Sequence, residues 1–397
     1  MQEIYKTIQR YIGSQREPMT ALWEELVNTE SGVRQIAGVN AVRDILRREM
    51  ERAGISTRVV PMENAGDFLI GEWNLESGKA PVLLIGHMDT VFSEGAAAAN
   101  PFRIDEAGMA HGPGVLDMKG GLVVALYAVK ALMEAGWKER PVKFLLAGDE
   151  ENLHMFSNAK DVLAAESVGA IAAFNFEVGR IQEQKDQFVI GRSGGGPASI
   201  TVHGVAAHSG NAPQDGRSAI LEAAHKIVEI ESGNDIARGR LINCGVVQGG
   251  MGANTIPDTC TITMGVRFPS SEIGREILDI LKRAVSHHTV PDTTAELDDS
   301  KIMHCMDTTD GVMRLFQHLR TTAAACGFGE VSSCRVGGLS DSGVTVSSGV
   351  PTVCGMGPWG AGSHTAEEYA NVESLFRRCV LAACAIYDLQ DGFGHEA

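Results

Sequence analysis

Apolar residues recur at helical spacing from the start of the chain to about Gly54. Ile4, Ile8 and Ile12 share one face, and the stretch NAVRDILRREMERAG ends on a glycine suited to a helix C-terminus. Three short apolar runs follow, STRVVPM, DFLIGEW and APVLLIG, each of strand length. A helical pattern then covers Lys119 to Ala135, stops at Gly136, and gives way to another buried run, PVKFLLAG. Strands alternating with helices predict a layered α/β/α domain with helices on both faces of a sheet.

Beyond about Arg192 the pattern changes. RSGGGP reads as a turn-rich joint, either a hinge that permits domain closure or only a tight turn. After it come a strand (ASITVHGV), an amphipathic helix (GRSAILEAAHKIVEIES) and two strands (LINCGVVQGG and DTCTITMGVRF). A second helix (SSEIGREILDILKRAVSHH) and a last strand (TTAELDDS) complete the series. The order βαββαβ is that of a ferredoxin-like α+β unit. After about Met303 the first texture resumes. The expected organisation is an α/β domain of residues 1–192 and 304–397, with residues 193–303 inserted into it.

A length of 397 residues exceeds what one core usually organises, which agrees with two domains. The net charge of −16 disfavours general binding to nucleic acid or to an anionic membrane, since both would repel the chain. An anionic substrate remains open, because one arginine in a pocket outweighs a distant surface field. The longest apolar runs, such as Gly121 to Val129, are too short to span a bilayer. The opening MQEIYKTIQRYIGSQREPM lacks the apolar region and cleavage site of a secretory signal. Eight cysteines without a C-x-x-C pair read as reduced, mostly buried thiols. A cytoplasmic location is the simplest expectation. No G-x-G-x-x-G opens a helix after the first strand, and no G-x-S-x-G elbow is present, so nucleotide-binding and serine-hydrolase readings lose their motifs.

The chemistry-bearing residues follow buried strands or sit beside glycine-rich turns. GHMD supplies His87 and Asp89, GPGVLDMKGG supplies Asp117, GDEE supplies Glu150 and Glu151, and FNFEVG supplies Glu177. GPWGAGSHTAEE adds His364 near the C-terminus. In a layered α/β domain the carboxyl ends of the strands converge on one crevice, where scattered residues can meet. Histidines and carboxylates without cysteine suit Zn²⁺ or a similar divalent ion at a catalytic site.

In order and setting, these motifs resemble the co-catalytic zinc amidohydrolases that include glutamate carboxypeptidase, aminoacylase and succinyl-diaminopimelate desuccinylase. The resemblance covers nearly the whole chain. It implies two divalent metal ions, Zn²⁺ by default, with Co²⁺ or Mn²⁺ compatible with the same ligands. Asp117 is then the bridge, His87 and Glu177 complete one ion's ligands, and Glu151 and His364 complete the other's. Asp89 holds the His87 ring, Glu150 is the general base, and the peptide after Asp117 is cis. In the inserted unit, a dimerisation or lid domain by resemblance, His208 and Asn254 contact the scissile carbonyl region. His208 does so across a homodimer. Arg267 grips the substrate's free carboxylate, beside the loop GGLSDSG of residues 337 to 343.

The expected activity is release of a C-terminal amino acid from a small peptide or an N-acyl amino acid, closest to glutamate carboxypeptidase. An aminoacylase or dipeptidase would use the same site. A different class, a catalytically silent metal-stabilised peptide-binding protein, is disfavoured by the intact Glu150. The chain departs from the family pattern at EENLHMFSN after the glutamate pair, at Val178 after Glu177 and at His111. These departures bear on the shape of the pocket and therefore on the substrate.

Overall fold

A computed structural model describes residues 3–389. At the centre of a nine-stranded mixed sheet four parallel strands lie side by side, in the order Val142–Gly148, Val82–His87, Ala172–Asn175 and Thr352–Cys354. Register aligns their carboxyl ends: His87 faces Ala147, Ile85 faces Asn175, and Asn175 faces Cys354. These strands are almost continuously buried, as a sheet covered on both faces requires. Antiparallel pairing extends the sheet through Gly66–Trp73 and Ser56–Val60 on one side and through Lys185–Arg192 on the other, with Val331–Val336 beyond it at the edge.

The flanking helices form the outer layers. Gly120–Glu134 is buried around nearly its whole circumference and packs against Val372–Tyr387 and Glu3–Ser14. Ile36–Arg52 packs on the strand Gly66–Trp73, and Ala159–Ser167 on Val142–Gly148. The fold is the layered α/β arrangement that the alternating pattern predicts. At Gly121 a Cβ would stand 1.8 Å from the carbonyl oxygen of Phe176, so only glycine lets the helix start this close to the segment leading to Glu177.

Contacts divide the chain into two compact units. The first comprises Met1–Gly191, Thr308–Val336 and Ser340–Ala397, the second Arg192–Asp307 with Gly337–Leu339. In the second unit an antiparallel sheet runs Leu241–Gly249, Thr259–Phe268, Gly194–His203 and Thr294–Asp298. Helices Ala219–Ser232 and Ser271–Ser286 pack together over a core that includes Ile200, Ile262, Ile277 and Leu281. Both helices begin where the sequence offers a cap: Ser218 Oγ accepts the N–H of Leu221, and Ser270 Oγ that of Ile273. This is the ferredoxin-like βαββαβ order.

The glycine run differs from its sequence reading. Gly194, Gly195 and Gly196 are not a turn but the first residues of a strand, paired with Phe268, Arg267 and Val266. Gly195 has a φ of +153°, and a Cβ there would lie 2.3 Å from the Val266 carbonyl oxygen. Close approach of neighbouring backbone, not chain reversal, therefore requires glycine. Among the described residues no helix is long and apolar enough to cross a membrane.

Candidate metal centre

Around the aligned strand ends of the first unit gather six ligand-type side chains from distant parts of the sequence. His87 is the last residue of its strand, and Glu177 lies just past the strand ending at Asn175. Glu150 and Glu151 begin the turn after Gly148, and Asp117 sits where the chain enters helix Gly120–Glu134. His364 comes from a loop near the C-terminus, with a left-handed φ of +67°. The Asp117–Met118 peptide is cis.

Two groups result, and they share one residue. Candidate ligand atoms of His87, Asp117 and Glu177 lie within 4.8 Å of one another, as do those of Asp117, Glu151 and His364. His87 Nε2 is 3.4 Å from Asp117 Oδ1, and His364 Nε2 is 3.4 Å from Asp117 Oδ2, so the two carboxylate oxygens face opposite groups. His364 Nε2 is also 3.3 Å from Glu151 Oε2. Glu151 Oε1 is buried without a hydrogen-bond partner. A buried acceptor left unsatisfied beside two histidines and further carboxylates is the environment that a divalent cation fits.

The electrostatics follow from crowding acids in a dry place. Burial pushes the Glu150 carboxyl well above the usual range; His87 opposes this, while Glu177, Asp341 and Glu151 add to it. Burial likewise lifts Glu151 to about 7 against the pull of His364. Burial would also raise Asp117, but His364 and His87 on either side override it and hold that carboxyl well below its ordinary value. His364, facing Asp117 and Glu151, is raised to about 10. Without a metal, protons carry the positive charge that the cluster demands.

Around the ligands, backbone contacts fix the geometry. His87 Nδ1 is 3.0 Å from the Asp89 backbone carbonyl and 3.4 Å from its carboxylate. The Asp89 carboxylate accepts the N–H groups of Glu150, at 3.2 Å, and Glu151, at 3.0 Å. It therefore joins the His87 strand end to the turn bearing both glutamates. That turn is a short 3₁₀ helix, Glu150–Asn152. One residue escapes sequence reading altogether. Glu368, buried, accepts N–H groups from Gly114, Leu116 and Asp117 at 3.2, 2.7 and 2.9 Å. Its burial lifts its carboxyl to about 7. A second glutamate in HTAEE was the available signal, but nothing in the sequence pairs it with the backbone of Gly114, 254 positions away along the chain.

His208, Asn254 and Arg267 belong to the second unit. His208 and Thr255 pair in a two-stranded ribbon, and Ser209 N donates to Asn254 O at 3.0 Å, so His208 and Asn254 share one support. His208 Nδ1 accepts N–H groups from Gly210 and Asn211, at 3.1 and 3.2 Å. The proton of the neutral ring is thereby assigned to Nε2. Arg267 is exposed, and its Nη1 lies 3.5 Å from the Gly337 carbonyl oxygen.

A layered α/β unit whose parallel strand ends collect two histidine–carboxylate groups has the architecture of a metal-dependent hydrolase. A family model described as Peptidase family M20/M25/M40 matches residues 83–388, and the chain belongs to that family of metal-dependent peptidases and amidohydrolases. It is 28% identical to carboxypeptidase G2 of Pseudomonas sp. (strain RS-16) over 378 residues, which cover 93% of this chain and 88% of that protein. Acetylornithine deacetylase of Proteus mirabilis (strain HI4320) is 27% identical over 242 residues, covering 57% of this chain and 60% of the relative. Among solved structures, the M20 family metallo-carboxypeptidase Sso-CP2 of Sulfolobus solfataricus shares the fold. Its TM-score is 0.65 at 15% identity, with 94% of this chain and 99% of that chain covered.

Proposed function

We propose that this chain hydrolyses an amide bond to release an amino acid with a free carboxylate, in the manner of a glutamate carboxypeptidase. The observation that carries the proposal is the pair of ligand groups sharing Asp117 with a further buried glutamate, Glu150, belonging to neither. In this reading His87, Asp117 and Glu177 hold one divalent ion, and Asp117, Glu151 and His364 hold a second. Zinc is the default and cobalt or manganese are compatible. Ions bound there would supply Lewis acidity, polarising the amide carbonyl and lowering the pKa of an attacking water.

The chain's own residues do the rest. Glu150 takes a proton from the attacking water and passes it to the leaving nitrogen. Its elevated proton affinity suits a group that must hold that proton between the two transfers. Asp89 keeps the glutamate turn and the His87 strand end in fixed relation. His208 offers Nε2–H to the substrate carbonyl from a second copy of the chain, with Asn254 beside it, and Arg267 grips the free carboxylate as a bidentate donor.

The named relatives support this reading, since they include a carboxypeptidase and a deacetylase. The homodimer it requires has a suitable surface in the second unit. The edge strand Leu241–Gly249 exposes Leu241, Val246 and Val247, and helix Ala219–Ser232 exposes Leu221 and Val228. The test is amino-acid release from a panel of dipeptides and N-acyl amino acids by the zinc-loaded protein and its Glu150→Ala variant. Release by the wild type alone supports hydrolysis. Release by neither leaves a binding protein that retains the ligand set.

A further inference from the structure

The stretch EENLHMFSN, where the chain departs from its family's pattern, builds a contact that the reaction outlined above does not use. After the glutamate turn, Leu153 and His154 both adopt left-handed φ values of 53°. Two consecutive non-glycine residues in that region are sterically disfavoured, so something must hold them there. The effect is to fold His154 back beneath the turn, where its N–H donates to the Asp149 carbonyl oxygen at 3.1 Å and its side chain is 2% exposed.

There the imidazole is gripped on both edges. Nδ1 lies 2.9 Å from Asp149 Oδ1, and Nε2 lies 2.7 Å from Asp341 Oδ1. A neutral ring donates from only one nitrogen, so two carboxylate partners call for the doubly protonated imidazolium. Burial disfavours that charge, but Asp341 and Asp149 outweigh it and raise the His154 pKa well above its ordinary value. Asp149 precedes Glu150 directly, and Asp341 opens the helix Ser342–Ser347.

The segment carrying Asp341 is tied in a second direction. Asn175 Nδ2 donates to Ser342 Oγ at 2.8 Å and to Ser340 Oγ at 3.3 Å. Asn175 ends the strand that leads to Glu177. Residues 340 to 342 thus brace two separate parts of the site from behind, the glutamate turn through His154 and the Glu177 strand through Asn175. All these groups lie in the first unit.

We propose that His154, clamped between Asp149 and Asp341, is a positioning residue that locks the Glu150–Glu151 turn to the Ser340–Ser342 segment and so fixes the general base relative to the metal ligands. Its ring partners, Asp149 and Asp341, belong to neither ligand group, so it acts through the turn. The inference rests on the hydrolytic reading for its kinetic consequence, but the clamp itself is testable without activity.

The experiment compares wild type, His154→Gln and Asp341→Asn, each as the full chain. Three quantities are measured: bound zinc, kcat and KM on the best panel substrate, and amide hydrogen exchange over residues 150–153 in the metal-free protein. The expected result is a fall in kcat of about 10–100-fold, as for a small misplacement of a reacting group. KM should stay within about twofold, bound zinc should match wild type, and exchange in the turn should accelerate. Wild-type kcat in a folded, zinc-loaded variant would overturn the proposal. So would a loss of activity proportional to lost zinc, which would indicate failed ligation. If His154→Gln does not fold, Asp341→Asn decides by the same criteria. If the wild type hydrolyses nothing, the functional reading fails on its own, and unchanged exchange in both variants would separately remove the clamp.

Discussion

Glu150 Oε2 lies 3.9 Å from His87 Nε2, within the same acidic cluster, yet Glu150 is a member of neither ligand group. A carboxylate placed against the ligands without being needed as one is free to carry a proton. Glu150→Ala should therefore lower kcat by about 10²–10⁴-fold while leaving metal content intact. Parallel kinetics and elemental analysis check this. Retained activity in the variant would assign the proton transfer elsewhere.

Because Asp117 serves both groups, its removal should be felt twice. Asp117→Ala should lose both ions, whereas His364→Ala should keep the ion bound by His87, Asp117 and Glu177. Metal stoichiometry after dialysis separates the two cases, and identical stoichiometry in the two variants would contradict the shared bridge.

Protons and metal compete for the same atoms. In the metal-free protein His364 is raised to about 10 and Glu151 to about 7, so both groups retain protons at neutral pH. Binding must displace these protons, and metal affinity should fall as pH drops through 7 and rise as pH increases above it. Zinc titrations by calorimetry in buffers of differing ionisation enthalpy should register net proton release. Zero release would mean that the ligand set is wrong.

Glu368 holds the Asp117 loop through three backbone N–H groups. Glu368→Ala should weaken metal affinity by about 10–100-fold, the usual range for partners that orient a ligand. Competition against a chromogenic chelator measures it. Wild-type affinity would show that the loop holds its shape alone.

Arg267→Ala should raise KM for substrates with a free α-carboxylate far more than for the corresponding amides. Equal effects on both substrate classes would dissociate the residue from carboxylate recognition. If His208 acts from a second copy of the chain, mixing a His208→Ala variant with Glu150→Ala should restore part of the activity lost by each. No recovery despite demonstrated subunit exchange would assign His208 to its own chain's site.

The central strands were legible because burial writes itself into sequence. VLLIGH and PVKFLLAG are apolar in nearly every position, which a helix-covered parallel strand demands. His87, Glu150, Glu151 and Glu177 were legible for a related reason, since each stands at or just past the end of such a run, whereas Asp117 and His364 stood out beside glycine-rich turns. RSGGGP was misleading, because glycine marks close backbone approach as well as chain reversal, and only the neighbouring Val266 carbonyl distinguishes them. The contacts of Glu368 and of His154 with Asp341 join residues remote in sequence through side chains whose local setting is ordinary. Periodicity carries no record of such pairs.

The order of the ligands along the chain has a consequence for biosynthesis. His87, Asp117, Glu151 and Glu177 all precede the inserted second unit, while His364 follows it. The strand Thr352–Cys354 is equally late, yet it lies between Ala172–Asn175 and Lys185–Arg192, which are made much earlier. A chain leaving the ribosome thus carries every residue of one group well before the last residue of the other, and the sheet can close to its full order only when Thr352–Cys354 has been made. A product ending before His364 would keep the His87, Asp117 and Glu177 group whole and leave the Asp117 and Glu151 group without its histidine.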